Sequence, residues 1–221
     1  MVSTVSTSKG KLAINQDSFF AVDKDHMGLY VVADGMGGHE EGERASQLAV
    51  QNIKELWDSG FFETATVAQA TDSFFTLFKD CNAQILKFNE IPEYISGTTC
   101  TALFIKDGSY CIAHVGDSRV YAISDSGANT TIQQLTEDHL SQKGKITSAL
   151  GVSRRLFVYT TSNSIDNIKS FVICSDGLYK TQSTQDIQHI LSIATNGAEQ
   201  LVTKALNDGE SDNVTAIVVN L

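Results

Sequence analysis

Eight apolar runs of strand length, punctuated by turns, restrict the fold of this 221-residue chain more than any other feature. They are SFFAV (18–22), GLYVVA (28–33), TTCTALFI (98–105), YCIAHV (110–115), RVYAIS (119–124), LFVYTT (156–161), SFVIC (170–174) and NVTAIVVN (213–220), all rich in β-branched or aromatic residues. Two of the links, KDGS at 106–109 and GDS at 116–118, are too short for a crossover and predict antiparallel hairpins. Helical periodicity lies elsewhere. Residues 41–57 place Ala45, Leu48, Ala49, Ile53 and Leu56 on one face, residues 66–90 repeat that period, and a third region from about Thr184 to Leu206 is interrupted at TNGAE, near Asn196 and Gly197. Antiparallel strands with long helices on either side read as α+β, two sheets packed on each other with helices covering their outer faces.

No Ser/Gly linker, charge block or low-complexity tract marks a boundary, and Pro92 is the one proline, so a single domain over residues 1–221 is expected. Sixteen Lys and Arg against 26 Asp and Glu give a formal charge of −10, which argues against nucleic acid as the main partner and suits acidic residues gathered around cations. Cys81, Cys100, Cys111 and Cys174 form no CxxC pair and read as reduced structural thiols. The first 17 residues lack a basic-then-apolar leader pattern, and no apolar run approaches the roughly 18 to 20 residues of a membrane span. A soluble cytoplasmic protein that does not engage a membrane is expected.

Five aspartates share one local grammar. Asp17 in NQDSFF, Asp34 in VVADGMGG, Asp117 in HVGDSRVY, Asp176 in ICSDGL and Asp212 in ESDNVT each stand next to a strand terminus, close to small residues. Singly, each reads as a turn or an Asx cap. Gathered at one end of a sheet, they would repel one another unless a divalent cation neutralised them, and a set of hard oxygens favours Mg²⁺ or Mn²⁺ over Zn²⁺. Spacing along the chain does not itself bring the five together.

The ordered pieces NQDS (15–18), VVADGMGGHEEGERAS (31–46), SGTTCTALFI (96–105), HVGDSRVY (114–121), LTEDH (135–139), ALG (149–151), ICSDGLY (173–179) and SDNVTAIVV (211–219) resemble the metal-dependent type 2C serine/threonine protein phosphatases. Met36, where many eukaryotic members carry His, is similar to the bacterial branch. The resemblance implies an α-β-β-α sandwich acting in signalling, with phosphorylated proteins as substrates and a serine/threonine kinase as the opposing partner. It implies two Mn²⁺ or Mg²⁺ ions. Asp34 bridges them, the Gly35 carbonyl completes one site, Asp176 and Asp212 ligate the second ion, and Asp17 acts mostly through water. Asp117 with Asp176 matches a third, weaker metal site. Phosphoserine and phosphothreonine would then be hydrolysed by a metal-activated water, without a phosphoenzyme.

Two departures stand out. Leu12 occupies the position where the family usually places a phosphate-gripping Arg; Lys11 or Lys9 offers a point charge instead, or each is an ordinary surface lysine. Between LTEDH and ALG only LSQKGKITS (140–148) replaces the family's flap subdomain. Arg154 and Arg155 receive a substrate phosphate or acidic residues, or are solvated surface. His114 reads as a core or supporting group and not a base, His39 as orienting the loop after the glycines, and His26, His139 and His189 have no evident partner. The missing Arg and flap keep two other readings open, a catalytically weak binding module and a phosphatase of small phosphorylated molecules.

Overall fold

The computed structural model describes residues 1–37, 41–90, 96–125 and 130–221, so the role expected of His39 lies outside the described residues. In chain order the elements are β1 (Val2–Ser8), β2 (Asp17–Lys24), β3 (Met27–Gly37), α1 (Glu41–Asp58), α2 (Phe61–Thr64), α3 (Val67–Phe88), β4 (Ser96–Thr98), β5 (Cys100–Lys106), β6 (Ser109–Val115), β7 (Arg119–Asp125), β8 (Thr130–Gln134), β9 (Tyr159–Ser164), β10 (Ile168–Cys174), α4 (Asp176–Tyr179), α5 (Thr184–Ile193), α6 (Gly197–Asn207) and β11 (Val214–Asn220). The strands form two antiparallel sheets. One has the order β1-β11-β10-β7-β8 and the other β2-β3-β5-β6-β9, with β4 added against the end of β3.

Alternation along the central strands builds the layers. In β3, Leu29, Val31 and Ala33 point to a core shared with α1 and α3, while Tyr30 and Val32 point between the sheets. In β11, Val214, Ala216 and Val218 face α5 and α6, while Ile217 and Val219 join Tyr30, Phe171 and Ile173 in the sandwich interior. A strand buried on both faces has no polar side, which is why these runs are continuously apolar. The result is the expected α-β-β-α stack. Helix boundaries follow local chemistry: Thr66 and Gln69 form a capping box ahead of α3, Ser183 and Asp186 do the same for α5, and α6 starts after Asn196.

Several expectations need correction. KDGS does close a hairpin, with Asp107 and Gly108 both at positive φ (48° and 78°) as a two-residue primed turn requires. GDS does not, because β6 and β7 belong to different sheets. Gly116, at φ 109°, turns the chain from one sheet to the other where a Cβ would collide with Thr99. The 98–105 run is divided, with β4 pairing to Gly35–Gly37 and β5 to Met27–Val32. The 156–161 run starts its strand only at Tyr159, since Leu156 and Val158 pack into the helix-side core. Strands β1 and β8 were not expected at all.

Candidate active site

The five aspartates leave the sandwich at one end. Asp17 is the first residue of β2 and pairs in register with Asp34 on β3. Cys174, the last residue of β10, pairs with both Ala216 and Arg119, so Asp176, Asp212 and Asp117 lie just beyond neighbouring strand ends. Asp34 does not end its strand, as its charge suggested; β3 runs on to Gly37 and β4 pairs with that extension.

Backbone contacts fix Asp34. Its N–H donates to Thr99 Oγ1 (2.9 Å). Its carbonyl accepts from the Thr99 N–H (2.9 Å) and from Thr98 Oγ1 (3.0 Å). Gly35 donates its N–H to the Gln16 carbonyl (3.1 Å), and a Cβ there would collide with the Gly42 and Gln16 carbonyl oxygens. The first turn of α1 therefore rests directly on the Asp34–Gly35 backbone. Gly177 plays the same part on the other sheet, where a Cβ would strike the Asn213 carbonyl oxygen. Asn213 then ties in the segment before Asp17: its Oδ1 accepts from the Gln16 N–H (2.7 Å) and its Nδ2 donates to the Lys9 and Ile14 carbonyls (3.0 and 3.1 Å).

Asp17 joins the two sheets, with Oδ2 accepting from Ser175 Oγ and Thr215 Oγ1, both at 2.7 Å. Its Oδ1 is buried without a hydrogen-bond partner, and so is Oδ1 of Asp176. Lys180 Nζ donates to Asp176 Oδ2 (2.8 Å) and Asp212 Oδ2 (3.0 Å), bringing those two carboxylates to one cation. Glu210 Oε1 accepts the N–H groups of Ser211 and Asp212 (2.7 and 2.9 Å), shaping the turn that presents Asp212. Asp117 sits in the turn between sheets, with its carbonyl accepting from Tyr179 Oη (2.8 Å).

Electrostatics match this crowding. Burial pushes the Asp17 carboxyl up to about 6, with Asp176 and Asp212 adding to the rise against the two hydroxyl bonds. Burial, then Asp176 and Asp138, push Asp117 up to about 6. Asp34 is held well above the carboxylate range by burial and then by Asp17, Asp176, Asp117 and Asp212. Asp176 is raised by burial, although Lys180 opposes it. Each group is penalised for a charge that the protein compensates poorly.

As the side chains stand, no three Asp, Glu, His or Cys among the described residues form a ready-made metal-binding group. The donor set nonetheless fits a hard divalent cation: oxygens only, two of them buried and unsatisfied, with mutually repelling charges.

Behind Asp34 lies a polar chain that the sequence reading missed. Thr99 Oγ1 meets Ser118 Oγ (2.8 Å), and Thr101 Oγ1 bonds Nδ1 of buried His114 (2.8 Å). His139, expected to stand alone, packs its ring 5.0 Å from His114 and accepts the Gly116 N–H on Nδ1 (3.1 Å). Burial holds His114 down to about 3, so it stays neutral and supports the fold instead of acting as a base. Lys11 donates its backbone N–H to the Ser211 carbonyl (3.0 Å), one residue from Asp212, whereas Leu12 is exposed. The 140–148 segment is a tight turn closed by a Leu140–Ile146 bridge. Arg154 and Arg155 line a surface groove with Lys79 and Lys87 of α3, and His26 pairs with Asp107 on the surface.

The family model described as Protein phosphatase 2C matches residues 8–210. A serine/threonine phosphatase stp of Listeria welshimeri is 30% identical over 242 residues, covering 96% of this chain and 93% of that protein. The crystal structure of serine/threonine phosphatase Stp1 from Staphylococcus aureus superposes with TM-score 0.85 at 27% identity over 99% of this chain and 94% of that one. The catalytic domain of the serine threonine protein phosphatase PstP, solved in complex with two manganese ions, gives TM-score 0.82 at 27% identity, covering 99% and 97%.

Proposed function

The chain belongs to the protein phosphatase 2C family, and on that footing we propose that it hydrolyses phosphoserine and phosphothreonine on proteins at a binuclear manganese or magnesium centre built on its clustered aspartates. It is a phosphoprotein phosphatase; the metal centre and the residue roles are our reading. One observation carries that reading: five aspartates gathered at one end of the sandwich, four of them raised by burial and by neighbouring carboxylates, with buried oxygens of Asp17 and Asp176 lacking partners.

Asp34 with the Gly35 carbonyl oxygen would hold one ion, and Asp34, Asp176 and Asp212 the other. Asp17 would support them through water, and Asp117 with Asp176 would take a third, weaker ion. When bound, such ions supply an acidified water and offset the negative charge of the phosphoryl group. The chain's own task is positioning. Thr98 and Thr99 fix the Asp34 backbone, Ser175 and Thr215 orient Asp17, and the glycines at 35 and 177 let backbone approach backbone.

The cysteines offer no thiolate nucleophile for a covalent phosphoenzyme. The four cysteines are buried and free, with thiols raised by burial to about 11 at Cys81 and Cys111 and about 12 at Cys174. Free thiols suit the cytoplasm, where we place the protein. No described helix is long and apolar enough to cross a membrane. The substrate's phosphate must be installed by a serine/threonine kinase, the natural opposing partner. We read residues 1–221 as one catalytic unit.

The test is release of phosphate from a phosphothreonine peptide by the purified chain. Activity that requires Mn²⁺ and disappears with EDTA is expected; none with any phosphoprotein or aryl phosphate would overturn the reading. In the same assay Lys11→Ala should raise KM about fivefold, the value of about 1 kcal/mol for one exposed charge contact. An unchanged KM would remove Lys11 from the site.

A further inference from the structure

Lys180 is the one cation that the described residues bring to the aspartate cluster: no other Lys, Arg or His among them pairs with Asp17, Asp34, Asp117, Asp176 or Asp212. Its placement is specific. The short turn of α4 carries Lys180 four residues past Asp176, with the Lys180 N–H on the Asp176 carbonyl (3.0 Å), so that Nζ returns to Asp176 Oδ2 at 2.8 Å. The same ammonium reaches Asp212 Oδ2 at 3.0 Å, on the turn before β11 and 32 residues away in sequence. An ordinary i,i+4 surface pair has no such second partner.

We infer that Lys180 is the resident counter-ion of the metal site, holding Asp176 and Asp212 together in the metal-free chain, and that an incoming divalent cation must displace it. This rests on the reading of Asp176 and Asp212 as metal ligands and adds the residue that tunes their affinity. One positive charge balances only half of the pair, so a divalent ion wins the exchange, at an affinity lowered by the competitor. Displacement is mechanically simple. The Lys180 side chain is 44% exposed, while the segment below it is anchored by the Tyr179 hydroxyl on the Asp117 carbonyl and by the Arg119 guanidinium stacked 3.4 Å from the centre of the Tyr179 ring. The ammonium leaves by rotating its own side chain, without moving the strand ends that carry the aspartates.

Calorimetric titration of the full chain with Mn²⁺, beside thermal unfolding in EDTA, tests the inference. Lys180→Met keeps an unbranched side chain one atom shorter and removes the charge. It should tighten Mn²⁺ binding on the order of tenfold, a gain of one decade for loss of a directly competing charge. In EDTA it should unfold about 2–4 °C lower, because two carboxylates lose their shared partner. Lys180→Arg, which keeps the charge, should stay close to the parent in both. Mn²⁺ binding equal to or weaker than the parent's in Lys180→Met, with the parent still binding manganese, would overturn the role of Lys180 and leave the metal centre standing. A parent chain that takes up no Mn²⁺ would overturn both.

Discussion

Asp34→Asn is expected to lower Mn²⁺-dependent kcat/KM on a phosphothreonine peptide on the order of 10³-fold, equivalent to about 4 kcal/mol of transition-state stabilisation. The ionised form of Asp34 is opposed by burial and by four other aspartates acting on it. In the reading above it serves both ions, so its loss should affect more of the site than loss of any other single ligand. The substitution is also structurally mild. Among the described residues the hydrogen bonds that fix residue 34 use its backbone, with Thr99 and Thr98 as partners, and those bonds are indifferent to the side chain. The variant should therefore fold and unfold in EDTA at a temperature no lower than the parent, because it replaces a repelling carboxyl with a neutral amide. Activity retained within a few-fold would remove Asp34 from the centre. Activity lost together with the fold would make it a structural residue.

A second large effect concerns Asp17→Asn in the absence of metal. The folded-state carboxyl is pushed up to about 6 from 3.8. A carboxyl raised on folding keeps its proton longer in the native state, so its stabilising contribution is full below about pH 4 and is lost as pH rises through about 6. Two pH units amount to about 3 kcal/mol by that linkage. Asn cannot ionise, and its carbonyl oxygen still accepts from Ser175 and Thr215. The stability difference between variant and parent should therefore grow in the variant's favour by about 3 kcal/mol from pH 4 to pH 7, roughly 6–12 °C in Tm for a chain of this size. His114, lowered to about 3, gives the opposite slope, since the unfolded histidine alone takes up a proton below its ordinary value; that term is common to both proteins and cancels. Thermal unfolding in EDTA across this range reads the difference directly. A difference that does not change with pH would contradict the placement of Asp17 among uncompensated carboxylates.

What the sequence discloses about the fold depends on where a strand sits. Runs such as GLYVVA and NVTAIVVN belong to β3 and β11, buried on both faces, and their uninterrupted apolar character announces them. The strands missed or displaced, β1, β8 and β9, are sheet edges with sequences VSTVSTS, TTIQQ and YTTSNS. An edge strand needs little apolar surface, and its Ser and Thr residues look like loop. The turn at 116–118 misled for a related reason: a short Gly-containing link closes a hairpin or turns a corner between sheets, and only the surrounding packing distinguishes the two.

The candidate site divides in the same way. The five aspartates were visible because a charge beside an apolar strand is costly and demands a reason. Ser175, Thr215, Asn213 and Thr99, which hold those aspartates and their backbone, were not, because hydroxyl and amide side chains next to turns satisfy many local needs. Lys180 carried one faint signal, its spacing of four from Asp176, and nothing in sequence linked it to Asp212. His139 was set aside for the same lack, since His114 is brought beside it only by the close of the sandwich.

The most direct measurement is anomalous diffraction at the manganese edge from crystals of the chain grown with Mn²⁺. Two manganese peaks coordinated by Asp34, Asp176 and Asp212, with Lys180 turned away from both carboxylates, are the expected result. Manganese bound elsewhere, or no manganese with the Lys180 pairs to Asp176 and Asp212 intact, would contradict a metal centre on these residues.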